Sequence, residues 1–282
     1  MVRAPCETPE RRSVNGTVQV MLAGGLGNRM FEYAFARAYA EKIGAELRLN
    51  YPQGEVLHRI FGIAHPPADI PLTPVDSSFF EQWDGRTNIT ILGMGQMQKN
   101  LLYTRAQARE WFKLRPELEE LVKEVPSMEL VANVRLGDYT FGCNPFTWIS
   151  DASYFDCCEK HGLDRSQLFW LSSEDHYRIP QIPVEKPWVN LTDAEKMSRL
   201  DYLPDLALMM RAKTLLRSNS TFAWWAATLG TSRVFCPDVS KVDSRAGVIN
   251  GTRVPQLVPF VEGNHMPVIW DLSVCSELHI KD

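Results

Sequence analysis

The chain of 282 residues is long enough for one large α/β domain or two smaller ones that share a cleft. Its 45% hydrophobic and 23% charged residues are the proportions of a globular enzyme. A net charge of −4 without a long basic run argues against a nucleic-acid partner. It leaves room for a diphosphate, which a few arginines and backbone amides can hold locally. The first twelve residues, Met1 to Arg12, lack the apolar core of a signal peptide, and no stretch approaches the about 18 apolar residues of a membrane span. The expected location is therefore the cytoplasm, where the six cysteines, which show no C-x-x-C spacing, read as reduced thiols.

In chain order, residues 1–16 are a polar tail, and 17–22 read as a buried strand that Gly24-Gly-Leu-Gly-Asn28 breaks. A helix is expected from Met30 to Ile43, with Met30, Ala34 and Ala38 at i, i+4 spacing and Gly44 as its stop. Residues 45–50 form the next strand, which completes a strand–loop–helix–strand unit of the kind that builds parallel sheets. The proline-rich stretch 51–88 reads as loop and short pieces, and 88–92 as a strand. Residues 104–125 are helical in two parts, with Pro116 at a first-turn position, and Pro126 marks a boundary. Beyond it, strands are expected at 129–134, 168–171, 187–191, 214–217 and 233–236, and helices at 153–160, 202–212 and 220–229. Alternation in both halves predicts an α/β protein with two Rossmann-like lobes, residues 17–125 and 126–282.

Four segments carry candidate chemistry. Glycines after a strand, Gly25 and Gly27 among them, let a ligand approach the backbone at a helix start, although the same loop serves equally as a tight turn. In Asn133-Val-Arg-Leu-Gly-Asp-Tyr139, Arg135 can offer a bidentate fork to a diphosphate, and Asp138 can orient it or accept from a base or sugar. A structural Arg–Asp pair is the alternative. Glu174 and Asp175 end another strand and can bind guanine N–H groups, or Ser and Asp there can cap a helix. Asn219-Ser-Thr221 opens a helix as an anion cradle or as a plain cap, and of the adjacent Trp224 and Trp225 at least one belongs in the core. There is no D-x-D and no H-x-x-x-H, so no metal is expected.

Taken in order, these segments resemble the α-1,2-fucosyltransferase family. Gly24-Gly-Leu-Gly-Asn-Arg-Met-Phe-Glu-Tyr-Ala-Phe35 is similar to the family's G-G-L-G-N-Q-[ML]-F-Q-Y-A, and Leu92-Gly-Met-Gly-Gln96 to L-G-Y-F-Q. Arg109-Glu-Trp-Phe-Lys-Leu114 follows R-E-x-F-x-[LF], and Asn133-Val-Arg-Leu-Gly-Asp-Tyr139 stands where the family has H-V-R-R-G-D-Y. Ser173-Glu-Asp175, Asp205-Leu-Ala-Leu-Met209 and Asn219-Ser-Thr-Phe-Ala-Trp-Trp225 resemble S-D-D, D-L-x-L-M and N-S-T-F-S-W-W. The resemblance implies a GT-B arrangement, two lobes facing a central cleft, and metal-independent, inverting transfer of fucose from GDP-fucose to a glycan acceptor. It implies catalytic roles for Arg135 and Asn28. It implies donor contacts from Gly25, Gly27, Asn133, Asp138, Glu174, Asp175, Asn219, Ser220 and Thr221. Two departures stand out: the family histidine is Asn133 and its second arginine is Leu136. Leucine cannot bind phosphate, which keeps two other readings open: a different nucleotide sugar, or a non-catalytic nucleotide- or glycan-binding module.

Overall fold

The computed structural model describes residues 16–77, 85–96, 98–136, 139, 148–172, 203–239, 248–249, 252–253, 255–264, 266–269, 275–278 and 280–281. The expected strand at 187–191 lies outside them.

The first sheet holds β1 (Thr17–Val20), β2 (Glu46–Leu49), β3 (Thr73–Asp76) and β4 (Ile89–Leu92) in the order β2-β1-β4-β3, all parallel. Between β1 and β2 runs α1 (Leu26–Ile43), which starts four residues before the expected Met30 and so takes Gly27 and Asn28 into its first turn. Gly44, in the left-handed region at φ 70°, ends it by giving its amide to Ala40 and Glu41. The stretch expected to be loop and short pieces contains α2 (Glu55–Phe61) and β3. Val56, Leu57, Ile60 and Phe61 bury one face of α2, but seven residues are too few for that period to stand out between prolines.

The helical region does divide in two. In α3 (Arg105–Trp111) the Thr104 side chain accepts from the Gln107 amide and the Gln107 side chain reaches back, a reciprocal cap. Pro116 opens α4 (Pro116–Glu124), where its missing N–H costs nothing.

The second sheet has the order β11-β8-β7-β5-β6, built from β5 (Leu130–Asn133), β6 (Leu168–Leu171), β7 (Thr214–Leu216), β8 (Arg233–Pro237) and β11 (Phe260–Glu262). All neighbours are parallel except β11, which runs against β8. Its helices are α5 (Asp151–His161), α6 (Leu203–Arg211) and α7 (Thr221–Leu229). Two short hairpins follow β8: β9 (Val248–Ile249) with β10 (Thr252–Arg253), and β12 (Met266–Ile269) with β13 (Cys275–Leu278).

One apolar core reaches through both sheets. It joins Val18, Val20 and Phe31 to Leu215, Trp224 and Trp225, because α7 packs on α1 and α3 as well as on α6. Arg109 of α3 fixes α7 from its far end, donating to the Thr228 and Gly230 carbonyls where the helix dipole is negative. A second core lies on the other face of the second sheet, around Leu130, Val134, Leu136, Tyr154 and Trp170. Among the described residues no helix is long and apolar enough to cross a membrane.

Candidate active site

The singled-out segments leave the C-terminal ends of parallel strands. β1 leads into the glycine loop, β5 into Arg135, β6 into Ser172 and β7 into Arg217 to Ser220. That edge is where open α/β sheets take their ligands.

The glycine loop and the start of α7 touch. A Cβ on Gly27 would sit 2.5 Å from the Phe222 nitrogen and 2.7 Å from the Thr221 carbonyl carbon. Only a hydrogen side chain lets the first turns of the two helices meet. Gly27→Ala is expected to lower stability by about 1–2 kcal/mol: overpacking against backbone costs about 1–3 kcal/mol, and the gain in helix propensity of up to about 1 kcal/mol offsets part of it. Urea unfolding checks this, and a variant as stable as the parent would show that the helix starts are not in tight contact.

At this contact Asn28 Oδ1 accepts from the Thr221 hydroxyl at 2.8 Å and from Gln96 Nε2 at 3.0 Å. Two donors on the oxygen fix the amide, so the Asn28 NH2 points to the loop side, where a Cβ on Gly24 would lie 2.7 Å from it. Asn28 therefore meets a ligand as a donor. Thr221 has spent its only hydroxyl proton on Asn28 and offers a ligand lone pairs alone. Ser220 is the N-cap of α7: its Oγ accepts the Ala223 amide at 3.1 Å and keeps its own proton to give. Asn219 is 9% exposed, and among the described residues its Oδ1 finds no hydrogen-bond partner.

On the β5 side, Asn133 Oδ1 accepts the Ser218 hydroxyl at 2.5 Å and its carbonyl accepts the Tyr154 hydroxyl at 2.9 Å. Arg135 is half-buried, its guanidinium 5.5 Å from the centre of the Tyr139 ring. The Tyr139 hydroxyl in turn reaches the Asn219 carbonyl at 3.5 Å. Arg217 is fully buried beneath them, donates to the Ser218 carbonyl at 2.8 Å, and has its pKa pushed down by burial. The structure thus brings Asn28 to Thr221, Asn133 to Ser218, and Arg135 by way of Tyr139 to Asn219. Asp138, Glu174 and Asp175 lie outside the described residues.

Burial decides two further positions. Leu136 is 2% exposed in the second core, so the side chain at this position faces apolar neighbours and not the cleft. Trp224 and Trp225 are both fully buried, which leaves neither ring for stacking on a ligand. Adjacent helical positions face different sides, and both rings are buried because α7 has core on several sides, with α1 and α3 packed against it as well as α6.

Sequence reasoning did not single out Glu32 or Gln96 as site residues. Glu32 is buried on α1, and its Oε2 accepts the Ala23 amide at 2.7 Å. Burial raises its pKa to about 8, against the pull of that hydrogen bond and of the Arg29 charge. The available signal was a lone acid four residues after Asn28 within an otherwise apolar helical run. Among the described residues no group of three His, Cys, Asp or Glu gathers as a metal site. A cavity of about 480 Å³ lies against another face of α1, lined by Tyr33, Arg37, His65 and Trp111 among others. Its polar groups bind one another: Arg37 gives to Glu41 at 2.8 Å and to the Tyr33 hydroxyl at 2.9 Å, which meets His65 Nε2 at 3.2 Å. Its lining does not include the strand-end residues.

No protein-family model matches the chain, and no curated protein matches it by sequence. Solved structures do match. The α-1,6-fucosyltransferase NodZ, known from Bradyrhizobium, superposes in its co-crystal with GDP at a TM-score of 0.54 and 14% identity, over 88% of this chain and 98% of its own. A mutant of Arabidopsis thaliana FUT1 in complex with GDP gives 0.53 and 15%, over 93% of this chain and 78% of its own. The fold is GT-B. At such identities the likeness is one of fold: two α/β sheets, the first parallel and the second parallel but for β11. The NodZ crystal soaked with GDP-fucose matches over the same 88% of the chain, at a TM-score of 0.51.

Proposed function

We propose that the chain is a glycosyltransferase that moves L-fucose from GDP-fucose to a galactose-type hydroxyl of a glycan, in α-1,2 linkage and with inversion. The observation that carries this reading is the meeting of the glycine loop and the α7 N-terminus at Asn28–Thr221, in a GT-B fold. In this reading residues 126–282 hold the donor and residues 17–125 present the acceptor. Transfer builds positive charge on the sugar and negative charge on the departing diphosphate. In this reading Arg135, half-buried at the end of β5, and the Ser220 hydroxyl at the start of α7 receive that negative charge. The Asn28 amide, its orientation set by Thr221 and Gln96, adds a donor at the reacting centre. Gly25 and Gly27 leave the backbone accessible beside it, while Asn133, Asp138, Glu174, Asp175 and Asn219 complete the donor contacts.

The test is thermal shift with GDP, GDP-fucose, UDP and CMP in EDTA. At 100 times its dissociation constant a ligand stabilises by about 2.7 kcal/mol, so GDP and GDP-fucose are expected to raise Tm and UDP and CMP to leave it unchanged. In Arg135→Ala the loss of a charge-assisted contact of about 1.5–3 kcal/mol should weaken GDP at least tenfold. A response to UDP or CMP instead of GDP would remove the fucosyl assignment.

A further inference from the structure

Glu32 is a buried acid for which the reaction above has no task. It stands on α1 one turn beyond Asn28 and is 1% exposed. The β1–β4 ladder ends with the Met21 amide on the Ile91 carbonyl at 3.1 Å. The next amide, Leu22, goes to Asn50 Oδ1 at 2.7 Å, and the one after it, Ala23, goes to Glu32 Oε2 at 2.7 Å. The carboxyl thus ties the chain to the helix where it leaves the sheet, one residue before Gly24 turns at φ 70°.

The charged groups around it are few. Arg29, one turn earlier on α1, is the cation whose field reaches Glu32, and it gives its guanidinium to the Gln53 carbonyl at 3.3 Å. β1 and α7, both packed on α1, carry no charged side chain. On β2, Glu46 and Arg48 pair with each other, and on α2 Glu55 pairs with Arg59, leaving His58 as the other titratable group there. Burial pushes the Glu32 carboxyl from 4.5 to about 8. Because the folded value lies above the unfolded one, the neutral acid favours the fold and that contribution is lost as pH rises through about 8. A glutamine would accept the same N–H without this cost. The resembled family has glutamine at this position, so the acid is a departure of this chain, at a cost of the kind that functional sites bear.

We propose that Glu32 is a positioning residue, whose carboxylate latches the Ala23–Gly25 loop onto α1 and so holds Asn28 in place for the reacting centre. Ionisation strengthens the latch, since a hydrogen bond to a carboxylate is about twice as strong as a neutral one. The consequence for turnover rests on the fucosyltransferase reading; the latch itself is read without turnover.

The experiment is a pH series of 1H–15N spectra of the full chain from about pH 6 to 9, spanning the folded value of about 8. The Ala23 amide and the Asn28 side-chain NH2 are expected to titrate together, and both to stop titrating in Glu32→Gln. Ala23 titrating without Asn28, or both titrating unchanged in Glu32→Gln, overturns the proposal. Glu32→Gln removes the ionisation penalty, so its Tm should match the parent near pH 5 and exceed it above pH 8. With GDP-fucose its kcat should match the parent's near pH 6 and fall at least tenfold below it above pH 8, with donor KM unchanged and without the parent's rise in rate toward alkaline pH. Glu32→Asp should restore part of that pH dependence. A parent that co-titrates as expected yet turns over no GDP-fucose would sink the fucosyl reading and leave the latch standing. A fully active Glu32→Gln with the parent's pH profile would sink the latch.

Discussion

Trp225→Ala is expected to lower stability by about 3–5 kcal/mol, the usual cost of emptying a buried indole site. The ring is fully buried between the two halves of the chain. It lies 5.0 Å from Phe31 of α1, 4.8 Å from Phe112 at the end of α3, 5.0 Å from its neighbour Trp224, and stacks on Tyr103 at 6.2 Å. None of these rings is free to collapse into the space, because Phe31 and Trp224 are themselves fully buried and already pack together at 4.7 Å. The damage should not stay in the core. α7 begins four residues earlier at Thr221, and its seat on α1 is what brings Thr221 to Asn28. Urea unfolding should show a lower midpoint with an unchanged slope, the sign of lost stability in an otherwise unaltered transition. GDP affinity should fall alongside it. A loss below about 1 kcal/mol would mean that the aromatic cluster does not join the halves as described.

The second large effect concerns neighbouring residues with opposite duties. Leu136→Ala is expected to cost about 2–5 kcal/mol, because Leu136 fills the second core with Val134, Ile149 and Tyr154. Among molecules that remain folded, GDP affinity should be unchanged. Leu136→Arg, which would bring back the basic residue of the resembled family, is expected to unfold the protein and not to improve donor binding. It would bury a cation among apolar side chains, where an unpaired charge costs several kcal/mol. Arg135→Ala has the reverse signature, since that side chain is only half-buried at the strand end. Circular dichroism melts paired with GDP titrations separate the two outcomes. A stable Leu136→Arg that binds GDP more tightly would place residue 136 in the cleft and contradict the burial described above.

The sequence by itself determined the features whose causes lie within a few residues. The strand–glycine–helix start at 17–43, the division of the 104–125 helix at Pro116, and the Ser220 and Gly230 limits of α7 follow from periodicity, caps and breakers. The order of motifs along the chain was likewise enough to expect the GT-B fold. Short elements without a full period were left without a type or bounds, as α2 and β3 among the prolines, or were not read at all, as the hairpins after β8; they owe their existence to partners they pair or pack with. Tertiary structure alone decided which way strand-end side chains face. Arg135 and Leu136 are adjacent after the same strand, and the sequence did not say which way the position of the family's second arginine faces; the layer packed against the second sheet takes Leu136 into the core. It also decided what the polar groups do. Ser220 caps its helix, Thr221 spends its proton on Asn28 across 193 residues of chain, and Glu32 acquires an alkaline pKa only because folding removes water from it. Such roles depend on which atoms meet across the contact of α1 with α7, and local pattern carries no information about that meeting.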